Sequence, residues 1–534
     1  MIVLRRRGLD ACAAVLAVAV TTVSLIWSTR VAAGSDAYGY VSQVDLWLRG
    51  DLHIDQEFAA HVPWPLARWT FLPLGYRPEP DGYRIVPQYP PGLPLLMAAA
   101  KVAGGPCAMF WVVPLCGGLL VAGTYAIGLR IGRPLVGIAA AWIVATSPTV
   151  LFMTIAPMSD VPAASAWTVA VASVIGETWI AAAVGGLAAA AAIVIRPNLA
   201  PLAVIIAVWL GWRDVRARRW RDPRRAIAIW FAAPAALGAL VIAVVNARLY
   251  GSPLTTGYDL TEAFAVAYIG PNLRRYVGWL VSAEPLACAG AIALACRSRA
   301  LWPTRSARGA HWLFAWISIV VWAIYLLYVP WDAWWYLRFL LPTFPLMAIG
   351  TASLVATGAA RASFTWRRAA AMAVMIALGV EGVVQAARRE TFNAARGEAK
   401  YVEVARVVAS LTDPDAVIIS AQHSGSIRYY AGRLTLRWDT GDPAWLDRTV
   451  SWLAERGHHP YFVLEPQEVE ALKAQAGATN RSARLDWPPL VRFRNGGVAI
   501  YDALRRDAGG AAVEQPSNGA IRDCPDQKPS PRLR

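Results

Sequence analysis

The residues able to do chemistry in this 534-residue chain gather in six short stretches: GSDAYGY (34–40), VPQYPPGLP (86–94), APMSDVPA (156–163), IRPN (195–198), YGSPLTTGYD (250–259) and PWDAWWYLRFLLP (330–342). They contain two carboxylates beside small residues, Asp36 and Asp160, and two arginines, Arg196 and Arg338. Tyr89, Tyr258, Asp332 and Trp335 complete the set. A carboxylate can take a proton from an attacking hydroxyl, or hold a hard cation such as Mg²⁺ or Mn²⁺. A guanidinium can grip an oxyanion with two parallel hydrogen bonds.

Each candidate also has a plain structural use. Ser35-Asp36 and Ser159-Asp160 both have the residue types that cap a helix. Arginines at span ends reach routinely to lipid headgroups. Trp331, Trp334, Trp335 and Tyr336 could stack on sugar faces, line a lipid groove or form an interfacial aromatic belt. Tyr89-Pro90-Pro91 suits a turn, and Tyr258 sits in a turn-rich stretch where its hydroxyl could bond a ligand. Glu284, before Pro285, either caps a helix break or faces a cavity. His53 and His61 lack a metal-ligand frame, and no GxGxxG or Walker pattern offers a nucleotide site.

The elements that must hold these residues are membrane helices. Apolar residues make up 57% of the chain and charged ones 16%, with a mean hydropathy of +0.40. Soluble domains carry about 25% charged residues, so an ordinary soluble enzyme, a coiled coil and a disordered chain are excluded. The net charge of +16 is carried almost entirely by Arg, with only four Lys, and no nucleic-acid-binding motif accompanies it. Six cysteines form no CxxC pair and read as small apolar residues.

Eleven spans are expected: 11–28, 107–129, 134–153, 163–176, 178–195, 199–212, 226–246, 279–296, 311–329, 338–357 and 369–386. Residues 11–28 follow Arg5-Arg6-Arg7 and read as a signal anchor, with cleavage near residue 33 as the alternative. The 91–103 run is too short to cross and reads as an interfacial or re-entrant helix. With the N-terminus inside, four Arg-rich loops (130–133, 213–225, 297–310 and 358–368) fall on the inner side. Loop 34–90, with seven acids against four Arg, falls outside, and so do all six polar stretches. They are expected to form one composite site at the outer membrane boundary.

Residues 388–505 change character. Helical stretches (396–411, 442–457, 466–476) alternate with strand-like DAVIIS, PYFVLE and VAIYDA, and Asn495-Gly496 marks a hairpin. The expected architecture is a transmembrane domain over 1–387, with 34–106 as its first external loop. A small external α/β domain follows over 388–505, then a disordered tail over 506–534.

An Asp just after the first span, a YPPxxPLL-like run closing the first loop, an Asp in the next outer loop and an Arg-Phe-x-x-Pro-type span start occur here in order and on one side. In this the chain resembles the GT-C membrane glycosyltransferases, over roughly residues 10–390. The likeness is to the branch of protein O-mannosyltransferases and lipid A aminoarabinose transferases. The resemblance implies a polyprenyl-phosphate sugar donor, an inverting displacement and Asp36 as base. By its residue type, Asp160 reads as a second carboxylate facing Asp36 that holds a divalent cation or orients the acceptor. Arg196 and Arg338 would neutralise the departing phosphate, with Tyr89, Tyr258, Asp332 and Trp335 lining the substrate. The acceptor would be a glycan, lipid or protein outside a bacterial plasma membrane. Many relatives have Asp-Glu where this chain has Asp36-Ala37, so roles of that second acid do not carry over. A transporter or flippase, or a relative that only binds its carrier, are the other readings. Against a transporter, the sequence has no internal repeat and its polar residues lie on one face.

Overall fold

The computed structural model describes residues 2–219, 226–361, 365–505 and 513–515. Each of the eleven apolar stretches is helical. Among the described residues, seven helices are long and apolar enough to cross a membrane, and two bent pairs raise the number to nine. Two expected spans are short helices, Asp160–Val174 and Trp179–Ile195, of 15 and 17 residues. Eleven full crossings are therefore more than helix length supports, because about 20 residues are needed to traverse the hydrocarbon.

Contacts divide the chain into two compact units. The first comprises Met1–Ser28, Phe110–Val245 and Tyr258–Phe392. Small residues let its helices approach closely, as is usual in membrane bundles. A Cβ on Gly128 would lie 2.1 Å from the Cα of Gly137, and one on Gly290 only 1.9 Å from the Met347 carbonyl oxygen. Two spans are broken. Pro134–Ala145 and Pro148–Thr154 meet at 62°, and Val266–Ala283 and Pro285–Ala295 at 118°. Glu284 ties one break to the other: its Oε1 accepts from the Ser147 hydroxyl at 2.7 Å and from the Thr149 N–H at 2.8 Å. Of the two uses open to Glu284, the one observed is satisfying a helix start.

The second unit comprises Thr29–Met109, Asn246–Gly257 and Asn393–Arg534. This grouping differs from the expected division at residue 387, because the first loop shares a core with the C-terminal region. Trp64 and Phe71 of the loop pack in one apolar cluster with Val417, Ile419, Phe462 and Leu464. Burying side chains of this size contributes about 1.5–3 kcal/mol each. The loop has its own antiparallel sheet, β1 (Ile54–Asp55), β2 (Tyr76–Pro78) and β3 (Arg84–Pro87), in the order β1-β3-β2. The 91–103 run is the helix Gly92–Gly104. It packs against the helix Asp36–Arg49, and Lys101 reaches Asp45 at 2.6 Å. The turn-rich segment before Tyr258 lies on the same loop. The Tyr250 hydroxyl donates to the Pro87 carbonyl at 2.8 Å, and Arg77 donates to the Thr256 carbonyl.

The C-terminal region is α/β, as expected. Its strands are β4 (Val417–Ile419), β5 (Leu434–Leu436), β6 (Pro460–Leu464), β7 (Val491–Phe493), β8 (Ala499–Asp502) and β9 (Val513–Gln515). They form one sheet in the order β5-β4-β6-β8-β7-β9. β4 pairs in parallel with β5 and β6, while β8 runs antiparallel to β6 and β7. The hairpin falls between β7 and β8, with Gly496 and Gly497 at φ +75° and +65°, where other residues would be strained. Of the tail expected to be disordered, 513–515 is strand β9 and the rest lies outside the described residues. Cys107 is disulfide-bonded, contrary to the reading of all six cysteines as apolar fillers; Cys12, Cys116, Cys288 and Cys296 are free thiols. A pair joined by folding leaves no spacing signal.

Candidate active site

Two clusters, one in each unit, hold Asp36 with Tyr89 and Asp160 with Arg196 and Arg338. In the second unit, Asp36 is the first residue of the helix Asp36–Arg49, where the helix N-terminus favours negative charge. Ser35 makes no capping bond to the backbone. Its hydroxyl instead lies 2.8 Å from the Tyr89 hydroxyl, which donates to Asp36 Oδ1 at 2.5 Å. Tyr89 is buried, and burial, followed by the Asp36 charge and the hydrogen bond to it, lifts its phenol well above the ordinary value. It therefore keeps its proton at neutral pH and acts toward Asp36 as a donor.

Glycines make the seat for this ring. A Cβ on Gly39 would stand 2.3 Å from Tyr89 Cδ2, and one on Gly75, at φ +86°, 3.1 Å from Cε2. Tyr40 packs on the ring at 4.9 Å, and the Gln43 amide donates to the Tyr89 carbonyl at 3.2 Å. Pattern reading assigned Tyr89 to a turn or to substrate contact and missed Gly39, Gly75 and Gln43. The GSDAYGY glycine was the available signal.

In the first unit, Asp160 begins its helix at 1% exposure. Its Oδ1 accepts from Arg196 Nη1 at 2.6 Å. Oδ2 is buried with no hydrogen-bond partner among the described residues. Arg196 ends the helix Trp179–Ile195, so it is fixed to the backbone at the mouth of a span. Its guanidinium lies 6.0 Å from the Tyr325 ring and 5.5 Å from that of Phe339. These rings are stacked at 4.8 Å, and Asn198 donates to the Tyr325 hydroxyl at 2.9 Å.

Arg338 is carried on the 3₁₀ helix Trp334–Thr343, and its guanidinium lies 5.2 Å from the same Phe339 ring and 5.0 Å from Tyr336. Two guanidiniums thus attend one ring, with Asp160 bound to one of them. The sequence reading did not single out Tyr325, and took Phe339 only as part of the Arg-Phe-x-x-Pro run. Trp335 is exposed and stacks on Phe152 at 5.9 Å. Asp332 is 82% exposed and lies 3.6 Å from Arg275, outside the Arg196–Phe339 cluster. Tyr258 is half-buried in a bend between Gly257 and the Asp259 cap of a short helix.

Among the described residues, no group of three or more His, Cys, Asp or Glu could hold a metal ion. With its Oδ1 bound to a guanidinium, Asp160 offers a cation its other carboxylate oxygen.

No family model matches the sequence, and no curated protein matches it. Solved structures do. ArnT from Cupriavidus metallidurans bound to undecaprenyl phosphate matches with a TM-score of 0.55 at 13% identity, over 94% of this chain and 99% of that one. The archaeal oligosaccharyltransferase AglB from Archaeoglobus fulgidus, in complex with an inhibitory peptide and a dolichol-phosphate, matches with a TM-score of 0.55 at 11% identity. That match covers 93% of this chain and 74% of AglB. An Archaeoglobus fulgidus oligosaccharyltransferase complexed with Zn and sulfate matches with a TM-score of 0.53 at 11% identity, over 92% of this chain and 73% of that one. The chain shares the fold of these solved structures, in line with the GT-C-like architecture expected from the sequence. Over nearly its whole length the chain is similar to ArnT.

Proposed function

We propose that this protein is an integral-membrane glycosyltransferase that moves a sugar from a polyprenyl-phosphate carrier to an acceptor outside a bacterial plasma membrane. The acceptor is a hydroxyl or phosphate on a glycan, lipid or protein. The N-terminus is cytoplasmic and the C-terminal region external. The single observation carrying the reading is the pair Arg196 and Arg338 about Phe339, which concentrates positive charge beside an aromatic surface at the ends of spans. Such charge stabilises a phosphate as it departs. The neighbours' undecaprenyl phosphate and dolichol-phosphate agree with it.

In the proposed reaction the acceptor oxygen forms a bond to the anomeric carbon as the bond to the carrier phosphate breaks. The electron pair leaves with the phosphate, which Arg196 and Arg338 neutralise. The acceptor proton passes to Asp36, and one displacement inverts the anomeric centre. Asp160 keeps Arg196 oriented. Tyr89 holds Asp36, and Trp335 offers an exposed face to sugar or lipid; Tyr258 and Asp332 are substrate contacts from the same polar stretches. To test it, transfer from polyprenyl-phosphate sugars is measured with Asp36→Asn. Loss of turnover in a folded variant supports the base; near-normal turnover removes Asp36 from that role.

One observation favours a second reading. The two broken spans joined by buried Glu284 are features that transporters share. Sugar transfer in detergent, without a gradient, separates an enzyme from a transporter. A relative that has lost activity would bind the lipid carrier under those conditions without turnover.

A further inference from the structure

The stretch after β4, AQHSGSIRYY (421–430), has no part in the reaction above. In the structure it is a short helical turn, Ser424–Ser426, continuing into a π-helical turn, Ile427–Ala431, stopped by Gly432 at φ +64°. Single π-turns are rare and occur often at functional sites. Four of its residues contact the first loop within the second unit, and a fifth contacts Ala32 just before it. The Leu74 N–H donates to Ser424 Oγ at 3.1 Å. Gly425 leaves room for Tyr38, whose Cδ1 would be 2.2 Å from a Cβ there. Arg428 Nη1 donates to the Gln56 amide oxygen at 3.0 Å and Nη2 to the Phe71 carbonyl at 2.5 Å. The Tyr429 hydroxyl reaches Asp45 at 3.4 Å, and the Ala32 N–H donates to the Tyr430 hydroxyl at 2.7 Å.

These partners surround Asp36 along the chain. Ala32 lies on the approach to it, Tyr38 and Asp45 on the helix it begins, and Leu74 next to Gly75, which seats Tyr89. Arg428 is buried, and among the described residues it bonds only carbonyls, an amide oxygen and a hydroxyl, with no carboxylate. Burial lowers its pKa to about 10, so it stays charged. An unpaired buried cation costs several kcal/mol, and apolar residues would fill a core more cheaply. What the fork does achieve is to join three chain segments, at Gln56, Phe71 and Thr435, at fixed angles.

We propose that residues 424–430 of the C-terminal region position Asp36, with Arg428 as the principal positioning residue. The proposal rests on the reading of Asp36 as the base. The full-length protein is tested with Gly425→Ala, Arg428→Lys and Tyr430→Phe, and with Asp502→Asn as a control. Asp502 bonds His459 and the N–H groups of Leu504 and Arg505, within the sheet region. Two readouts are taken: transfer from polyprenyl-phosphate mannose and polyprenyl-phosphate aminoarabinose, and amide hydrogen exchange over residues 36–42. The first two variants are expected to lower kcat by about 100-fold, the scale of an ångström misplacement, with donor KM within about twofold. Exchange over 36–42 should rise about tenfold, while Asp502→Asn changes neither. Folded variants that keep kcat and exchange at the parent values would overturn the proposal. So would a control that loses both as they do, since that is what general destabilisation predicts. Tyr430→Phe removes one oxygen and decides the matter if the others fail to fold. If Asp36→Asn alone keeps its turnover, the base assignment fails, and the exchange data still report whether this segment holds the helix.

Discussion

The phenol of Tyr89 donates its hydrogen to Asp36 across 2.5 Å, and Gly39 is what allows the ring to stand there. A methyl group at Gly39 would meet the ring at 2.3 Å, so the ring must move. Gly39→Ala should lower kcat by about 100-fold, in line with displaced catalytic groups elsewhere. Steady-state kinetics on the folded variant checks this; unchanged kcat would show that the Tyr89 contact is dispensable.

Asp160 and Arg196 should respond unequally to mutation. The carboxylate is 1% exposed and the arginine side chain 15%, so a stranded carboxylate is the worse outcome. Arg196→Ala should destabilise by about 3–5 kcal/mol, and Asp160→Asn, which leaves the arginine partly solvated, by less. Thermal melts in one detergent measure both, and equal losses would contradict the ranking.

Arg338 rests on Phe339 and Tyr336 through its flat guanidinium. Lysine keeps the charge but loses the planar fork that matches phosphate. Arg338→Lys should therefore raise the donor KM about tenfold, more than it changes kcat. A parent-like KM would point to an anchoring role in the membrane interface.

Glu398 in the C-terminal region is raised to about 7, chiefly by burial and also by Glu465, with Lys400 opposing. A carboxyl whose pKa rises on folding stabilises the folded state below its unfolded value, near 4.5. That contribution fades as pH climbs through 7, because the folded state must then give up the proton. Glu398→Gln should thus raise the melting temperature at pH 8 relative to the parent, and leave it close to the parent at pH 4. Equal shifts at both pH values would contradict the assignment.

Asp160 is already neutralised by Arg196. Chelation with EDTA should therefore leave transfer within about twofold, since a paired carboxylate has little call for a cation. A large loss restored by Mg²⁺ or Mn²⁺ would show that a metal serves the reaction after all.

The sequence alone determined the class of this protein. Runs of apolar residues set the helices, because hydropathy is a local property and backbone groups in lipid must bond within their own segment. The same local reasoning placed DAVIIS, PYFVLE and VAIYDA as β4, β6 and β8, and picked out Asp36, Asp160, Arg196 and Arg338 as unusual polar residues at span ends. Only the tertiary structure decided what these residues touch. Asp160 finds Arg196 thirty-six positions away, and Arg428 finds Gln56 across 372. It also decided that spans 134–153 and 279–296 break, with Glu284 bonded across to Ser147. The physical reason is that a buried charge must meet its partner wherever packing brings one close. Packing sums contacts over the whole chain, which no window of neighbouring residues contains.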